Sequence, residues 1–393
     1  MQNFWEISDW EKKDKHLRAL KQAPFQRSFA RLPSGPGLFV IRGPRQIGKS
    51  SWLKTMLSQH TNPKEIFYFS CEDIEDYKSL SELLKANKDR KVFLIDEISY
   101  VDQWWRPIKA LLDNNDTIRI IVTGSHALDV KKGMDQMPGR WGHGGEFELL
   151  PMDFEEFSDM RKQAGWKALS RVEELELYFK VGGFPTSLIE AGEEGRRPVN
   201  SMETYRRWLW GDLQKIEKSE VYLREILSQI ALTTTSTISL QKLAQKTQIG
   251  SHNTAQDYVE VLEACFALKT IYQVDLETGA PRFRKEKKFY LRDPLIFWLA
   301  LEWTGVPVPN NVNDMLAEIV AAEFLVRRYK RFGYYADKNG EIDFISAQTA
   351  TDQPWAIEVK WKDQPTGLSK AYKNLMYQNK MVWTKNNFLM MKK

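Results

Sequence analysis

The octapeptide Gly43-Pro44-Arg45-Gln46-Ile47-Gly48-Lys49-Ser50 constrains this chain more than any other stretch of it. It satisfies the pattern G-x-x-x-x-G-K-[ST] and has the flanks that give the pattern meaning. Leu38–Ile41 reads as a buried strand, and Ser51–His60 continues a helix. Glycines let a backbone wrap closely around an anion that side chains would hold away. The loop amides and the positive end of the following helix then face the phosphates. In such a loop Lys49 reaches the β- and γ-phosphates, and the Ser50 hydroxyl ligates Mg²⁺. The candidate phosphate-binding residues are Gly43, Pro44, Arg45, Gln46, Ile47, Gly48, Lys49, Ser50 and Ser51.

A second motif supplies the rest of the expected chemistry. Lys91–Glu97 is an apolar strand ending in two acids, Asp96 and Glu97. An aspartate at the end of a buried strand holds the Mg²⁺ shell in P-loop enzymes. The adjacent glutamate can polarise an attacking water. ATP and Mg²⁺ are therefore the expected cofactors, with Lys49 and Glu97 as catalytic residues and Ser50 and Asp96 on the metal. Ile66–Phe69, Thr117–Ser125 and Glu146–Leu150 read as further strands, and Pro151 ends the last. Strands alternating with helical patterns predict a parallel sheet with helices on both faces. Thr123 and Ser125, at the tip of their strand, are candidates for sensing the γ-phosphate. Upstream, residues 1–33 are polar, with Leu17, Leu20 and Phe25 as packing candidates.

Length and composition bound the organisation. At 393 residues the chain is long enough for two or three domains. Fifty-seven basic against 52 acidic residues leave a net charge of +5, which permits nucleic-acid contact without requiring it. Cys71 and Cys265 stand apart, so neither a zinc site nor a disulfide framework is expected. The N-terminus is charged and aromatic rather than signal-like, and the longest apolar run, Leu295–Leu301, is short. A cytoplasmic protein without membrane contact is the expectation.

GPRQIGKS, FLIDEISYVDQWW, IRIIVTGS, GRWGHGGEFELLPMDFEEF and VGGFP together resemble a prokaryotic family of AAA+-type ATPases, near the signal-transduction ATPases with numerous domains. The resemblance runs over essentially the whole chain. It implies a nucleotide-dependent ATPase joined to a C-terminal domain of uncertain role. It points to Arg140, before the last strand, as either a phosphate sensor or half of a structural ion pair. It also places Gly182, Gly183 and Pro185 in a helical lid. Ring assembly is not implied, and the oligomeric state stays open.

Beyond Met152 the pattern is helical as far as about Ile216. Tyr205–Trp210 mixes arginines with aromatics, as a nucleic-acid platform or as helix packing would. Residues 221–290 have the outline of a winged helix, with helices at Val221–Leu232, Leu240–Lys246 and Ser251–Phe266. Ser251 or Asn253 would cap the third. That helix carries Asp257, Glu260 and Glu263 and no Lys or Arg over Ser251–Cys265, a poor match for a DNA groove. A protein partner fits it better, while Arg282–Lys288 reads as a basic hairpin arm suited to a nucleic-acid backbone.

The last segment holds another acidic pattern. Asp343 sits in the apolar strand of Tyr334–Ile345, and Glu358 and Lys360 share one face of the next strand. Asp followed by Glu-x-Lys resembles the core of restriction-endonuclease-like PD-(D/E)XK nucleases. That likeness implies a metal held by Asp343, Glu358 and the helical Glu318, with Lys360 positioning the attacking water. Trp361–Lys393 adds seven lysines against one acid, a surface suited to a polyanion such as DNA.

The whole predicts an α/β multidomain chain. Residues 1–151 would be a P-loop parallel-sheet domain of AAA+ type and 152–216 a helical lid. Residues 217–303 would be a winged helix and 304–393 a nuclease-like α/β domain.

Overall fold

Five short apolar runs pair side by side in one parallel sheet: β1 (Gly37–Arg42), β2 (Ile66–Ser70), β3 (Val92–Asp96), β4 (Arg119–Gly124) and β5 (Gly145–Glu148). The computed structural model describes residues 4–124, 127–347 and 353–390. The strand order is β2-β3-β4-β1-β5, and every pairing is parallel. β1, β3 and β4 are almost wholly buried, as expected where helices cover both faces of a sheet. β5 lies at the edge and alternates half-buried with exposed residues. It ends before the predicted Leu150, although the Leu149 amide still donates to the Arg42 carbonyl at 2.8 Å.

The chain leaves β1 for the far edge of the sheet and returns to β5 on the other side of β1. In open α/β sheets, ligands bind outside the carboxyl ends of the strands at such a reversal. The helix Lys49–Gln59 starts there directly after the glycine-flanked turn. At the N-terminus, Asp14 caps the helix Lys15–Gln22 through the amides of His16 and Leu17. The same carboxylate receives Lys54 at 2.7 Å, which pins that helix to the one following β1. Leu17 and Phe25 are buried.

The described chain forms two compact units. The unit built on this sheet comprises residues 1–152, 158–166 and 184–189. The second comprises 153–157, 167–183 and 190–393, so segments of the helical stretch after Met152 belong to both.

In the second unit, the helices Glu220–Leu232, Leu240–Gln245 and His252–Ala264 precede an antiparallel hairpin of β6 (Leu268–Tyr272) and β7 (Lys287–Leu291). Ser251 caps the third helix by accepting from the Thr254 amide. An isolated bridge between Ile238 and Lys287 adds a third short pairing to the hairpin. After the helices Pro294–Thr304 and Val312–Arg328 comes a second sheet, β8 (Gly333–Asp337), β9 (Gly340–Ser346), β10 (Trp355–Val359) and β11 (Asn379–Trp383). Its order is β11-β10-β9-β8, parallel only between β10 and β11. Ile342, Ile345 and Ala356 pack with Ala371 and Tyr372 of the short helix Lys370–Asn374.

Candidate nucleotide and acidic sites

The turn after β1 is built from backbone conformations that few side chains tolerate. Gly43 has φ +155° and Gly48, which caps the following helix, φ +103°. A Cβ on Gly43 would lie 2.0 Å from the Leu149 carbonyl oxygen. Gln46 also sits in the left-handed region at φ +58°, and Ile47 is buried beneath the turn. Lys49 is 4% exposed and folds back over the loop. Its ammonium donates to the carbonyls of Gly43 at 2.9 Å and Pro44 at 2.8 Å. Lys49, Ser50 and Ser51 form the first helical turn, whose amides have no acceptors within the helix itself. Pro44 is buried and Arg45 half-buried.

Parallel register aligns the ends of the neighbouring strands: Ile41 faces Thr123, and Ser70 faces Asp96. Asp96 is 3% exposed. One of its oxygens accepts from the Thr123 hydroxyl at 2.5 Å, the other from the Tyr68 hydroxyl at 3.2 Å. The Thr123 oxygen accepts in turn from the Glu97 amide at 3.1 Å. Glu97 itself has φ +52°, a strained conformation for a residue with a side chain. Burial, reinforced by Asp96, raises the Tyr68 hydroxyl well above the ordinary tyrosine range, so it stays a neutral donor. Asp96 and Ser50 together offer hard oxygen ligands, the donor type that Mg²⁺ prefers. An ionised carboxylate keeps lone pairs free after accepting two hydroxyls. The residues present therefore fit the ion.

Thr123, expected to report on the γ-phosphate, is hydrogen-bonded to Asp96 and to the Glu97 amide, while Ser125 lies outside the described residues. Tyr68 was not anticipated, because a strand tyrosine carries no sequence signal of its partner. Arg140 forms a two-pronged pair with Asp113 at 2.7 and 3.2 Å, which is the ion-pair alternative.

The VGGFP element is organised by a residue the sequence did not flag. Asp293 accepts from the Gly183 amide at 2.8 Å and the Leu295 amide at 2.7 Å. Gly182, at φ +77°, passes so close that a Cβ would lie 2.3 Å from the Asp293 carboxylate. Burial pushes the Asp293 carboxyl up to about 7, outweighing those two amide donors.

In the C-terminal sheet, Asp343 on β9 and Glu358 on β10 come together with Lys360 and the helical Glu318. All three acids are less than a tenth exposed. Lys360 lies 2.9 Å from Glu358 and 3.6 Å from Asp343. At the centre, however, is Lys288 of β7, which is wholly buried. Its ammonium lies 2.6 Å from Glu341, 3.2 Å from Asp343 and 3.5 Å from Glu318. Strand alternation puts Tyr290 on the same face, where its hydroxyl donates to Glu318 at 2.7 Å.

Burial would depress the Lys288 ammonium, but Glu318, Asp343 and Glu341 hold it far above the usual lysine range. Burial and the neighbouring Asp343 raise both Glu318 and Glu358. Lys288 and Lys360 overcome burial at Asp343 and hold it low.

The metal set Glu318, Asp343 and Glu358 thus takes a different form from the one expected. Among the described residues, no group of three or more His, Cys, Asp or Glu is arranged to hold a metal ion. As arranged, the acids do not fit a divalent ion, because an ammonium already sits among them. The expected basic arm is corrected by the same observation. Lys288 is buried, and Arg282 is paired with Asp275 at 2.5 Å. Lys287 lies over the Tyr272 ring. At Tyr205–Trp210, Tyr205, Trp208 and Leu209 are buried, and both arginines pair with Glu203 at 2.7 Å, in the manner of helix packing.

Residues 36–158 match the family described as AAA domain. Residues 172–305 match a domain of unknown function, and 302–374 a family described as archaea bacterial proteins of unknown function. An uncharacterised protein of Haemophilus influenzae is 26% identical over 329 residues, covering 78% of both chains. One from Methanocaldococcus jannaschii is 23% identical, covering 78% of this chain and 71% of its own. Among solved structures, a Walker-type ATPase of Pyrococcus abyssi aligns with TM-score 0.47 and 15% identity, over 75% of this chain and 96% of that one. The ORC2 protein of Aeropyrum pernix aligns with TM-score 0.42 and 13% identity, over 78% and 92%. Among the described residues, no helix is long and apolar enough to cross a membrane.

Proposed function

We propose that this chain, whose residues 36–158 form an AAA-type P-loop ATPase domain, hydrolyses ATP with Mg²⁺ and uses its nucleotide state to control the C-terminal α/β segment. The observation that carries the first half is the alignment of Asp96, Glu97 and Thr123 at the strand ends beside the Gly43–Ser50 turn. In this reading Lys49 exchanges its two loop carbonyls for the β- and γ-phosphates. Ser50 and Asp96 hold Mg²⁺, which draws charge from the phosphates. Glu97 orients the water whose oxygen bonds to the γ-phosphorus as the bond to the ADP oxygen breaks. The main-chain amides of Gly43 to Ser51 supply the rest of the anion cradle.

Two substitutions test the assignment. Lys49→Ala is expected to lose ATP binding, and Glu97→Gln to bind ATP without turning it over. Sustained turnover by Glu97→Gln would remove that residue from the mechanism.

For the second half, we read 152–216 as a lid, 217–303 as a winged helix and 304–393 as nuclease-like. The grouping of Asp343, Glu358 and Lys360 supports the last of these. DNA is then the substrate class, and the acidic third helix is the face for protein partners. A second reading, a nucleotide switch whose nuclease-like segment does not cut, is favoured by the Lys288 ammonium among the acids. Cleavage of mixed DNA substrates by the wild type, lost in Asp343→Ala, would exclude that second reading. Equal results for the two proteins would exclude the first.

A further inference from the structure

Two buried ionic clusters join β7 to the helix Val312–Arg328, and their charge balances differ. In one, Glu323 receives Arg292 at 2.9 Å and Arg327 at 2.8 Å, so a single acid is met by two guanidinium groups. In the other, four carboxylates (Glu318, Glu341, Asp343 and Glu358) share two ammonium groups, Lys288 and Lys360. This second cluster carries more acid than its lysines neutralise. One oxygen of Glu358, a residue 2% exposed, is buried with no hydrogen-bond partner. Fold-stabilising ion pairs are arranged to leave no such surplus, because an unpaired buried charge is costly. The surplus marks a place able to take a cation of higher charge.

We infer that the Lys288 ammonium is the resident cation of this cluster, standing in for a divalent ion, and that its withdrawal creates a divalent-cation site from Glu318, Asp343 and Glu358. A lysine ammonium is a compact point charge with three donors, and here it lies within 3.5 Å of three carboxylates. A divalent ion seeks the same oxygens at shorter range and cannot share the space. The acids come from the helix Val312–Arg328 and from β9 and β10, whereas the lysine is delivered by the preceding hairpin. Displacing that hairpin would uncover the acids without altering any of them. The inference takes from the nuclease-like reading only the set of acids, and its test does not depend on cleavage.

The test is Mn²⁺ titration of nucleotide-free full-length protein, with the unbound ion followed by its paramagnetic resonance signal. Every protein carries Asp96→Asn, so the nucleotide site does not contribute. Lys288→Met is expected to gain one Mn²⁺ site at least about tenfold tighter than its parent. Mn²⁺ should raise the melting temperature of that variant alone, and adding Glu358→Gln should abolish the gain. Should Lys288→Met fail to fold in chelator, Lys288→Gln combined with Glu341→Gln removes the ammonium together with its most exposed partner, and the same gain is expected. Equal Mn²⁺ binding with and without the lysine, or no binding in either, overturns the inference. So does a gain indifferent to Glu358→Gln. A variant that gains the site yet leaves DNA uncut sustains this inference while removing the nuclease reading.

Discussion

Thr123 joins the two acids that follow β3. Its hydroxyl donates to Asp96 while accepting from the Glu97 amide. It therefore positions one carboxylate and helps hold the backbone of the next in its left-handed conformation. Thr123→Val keeps the shape and removes both bonds. A hydrogen bond to a charged group is worth about 1.5–3 kcal/mol. If that energy is spent on orienting Asp96 and Glu97, kcat for ATP falls roughly 10- to 100-fold. ATP affinity should change far less, and Thr123→Ser should recover most of the rate. Equal losses in affinity and kcat would make Thr123 a binding residue instead.

Asp293 permits a pH prediction at the same scale. Its folded-state carboxyl titrates at about 7 because of burial, against an ordinary value of 3.8. Between those values the folded chain holds a proton that the unfolded chain releases, so stability falls as pH rises. Above about 7 this contribution is flat. Urea midpoints of wild type and Asp293→Asn, taken at about pH 5 and about pH 8, should show a smaller fall for the variant. An identical fall in both would remove Asp293 as the source.

At the scale of elements, the turn after β1 and the edge strand β5 depend on each other. Gly43 passes so close to the Leu149 carbonyl that a side chain there must displace backbone. The Leu149 amide is meanwhile bonded to Arg42. Gly43→Ala therefore strains the turn and pushes on the end of β5 together. The conformational cost alone is about 1–3 kcal/mol. For a unit of this size, that lowers the melting temperature by something on the order of 5 °C. ATP should restore part of the loss only if the turn still closes around phosphate. An unchanged melting temperature would show that the turn relaxes freely.

The strand β7 works as an element in a similar way. Its Lys288, Tyr290 and Arg292 lie on one face by the two-residue period. They meet Glu318 and Glu323 of a single helix. The pairing fixes the hairpin against that helix and carries Lys288 into the acids.

For the whole molecule, the claim to be measured is that nucleotide state reaches the C-terminal sheet. Amide hydrogen exchange over residues 333–383 should change when a non-hydrolysable ATP analogue binds the wild type. It should not change in Lys49→Ala. No difference anywhere in that span on binding would leave the ATPase without its proposed output.

The phosphate-binding turn, the acids after β3 and the parallel sheet were legible in the chain itself. Each is local: glycines at fixed offsets, a strand-length apolar run, an acid at its end. The Asp343, Glu358 and Lys360 set was legible for the same reason, since alternation along two strands places them on one side. Three things were decided only by tertiary structure. Tyr68 reaches Asp96 across neighbouring strands, and Asp293 gathers the Gly182–Gly183 turn from more than a hundred positions away. Lys288, read from sequence as one of a run of surface charges, enters the acidic cluster 55 positions from Asp343. Period and composition report what a residue is and which way its neighbours alternate. They carry no information about which distant carboxylate will meet a buried ammonium, and that meeting determines what the acids can hold.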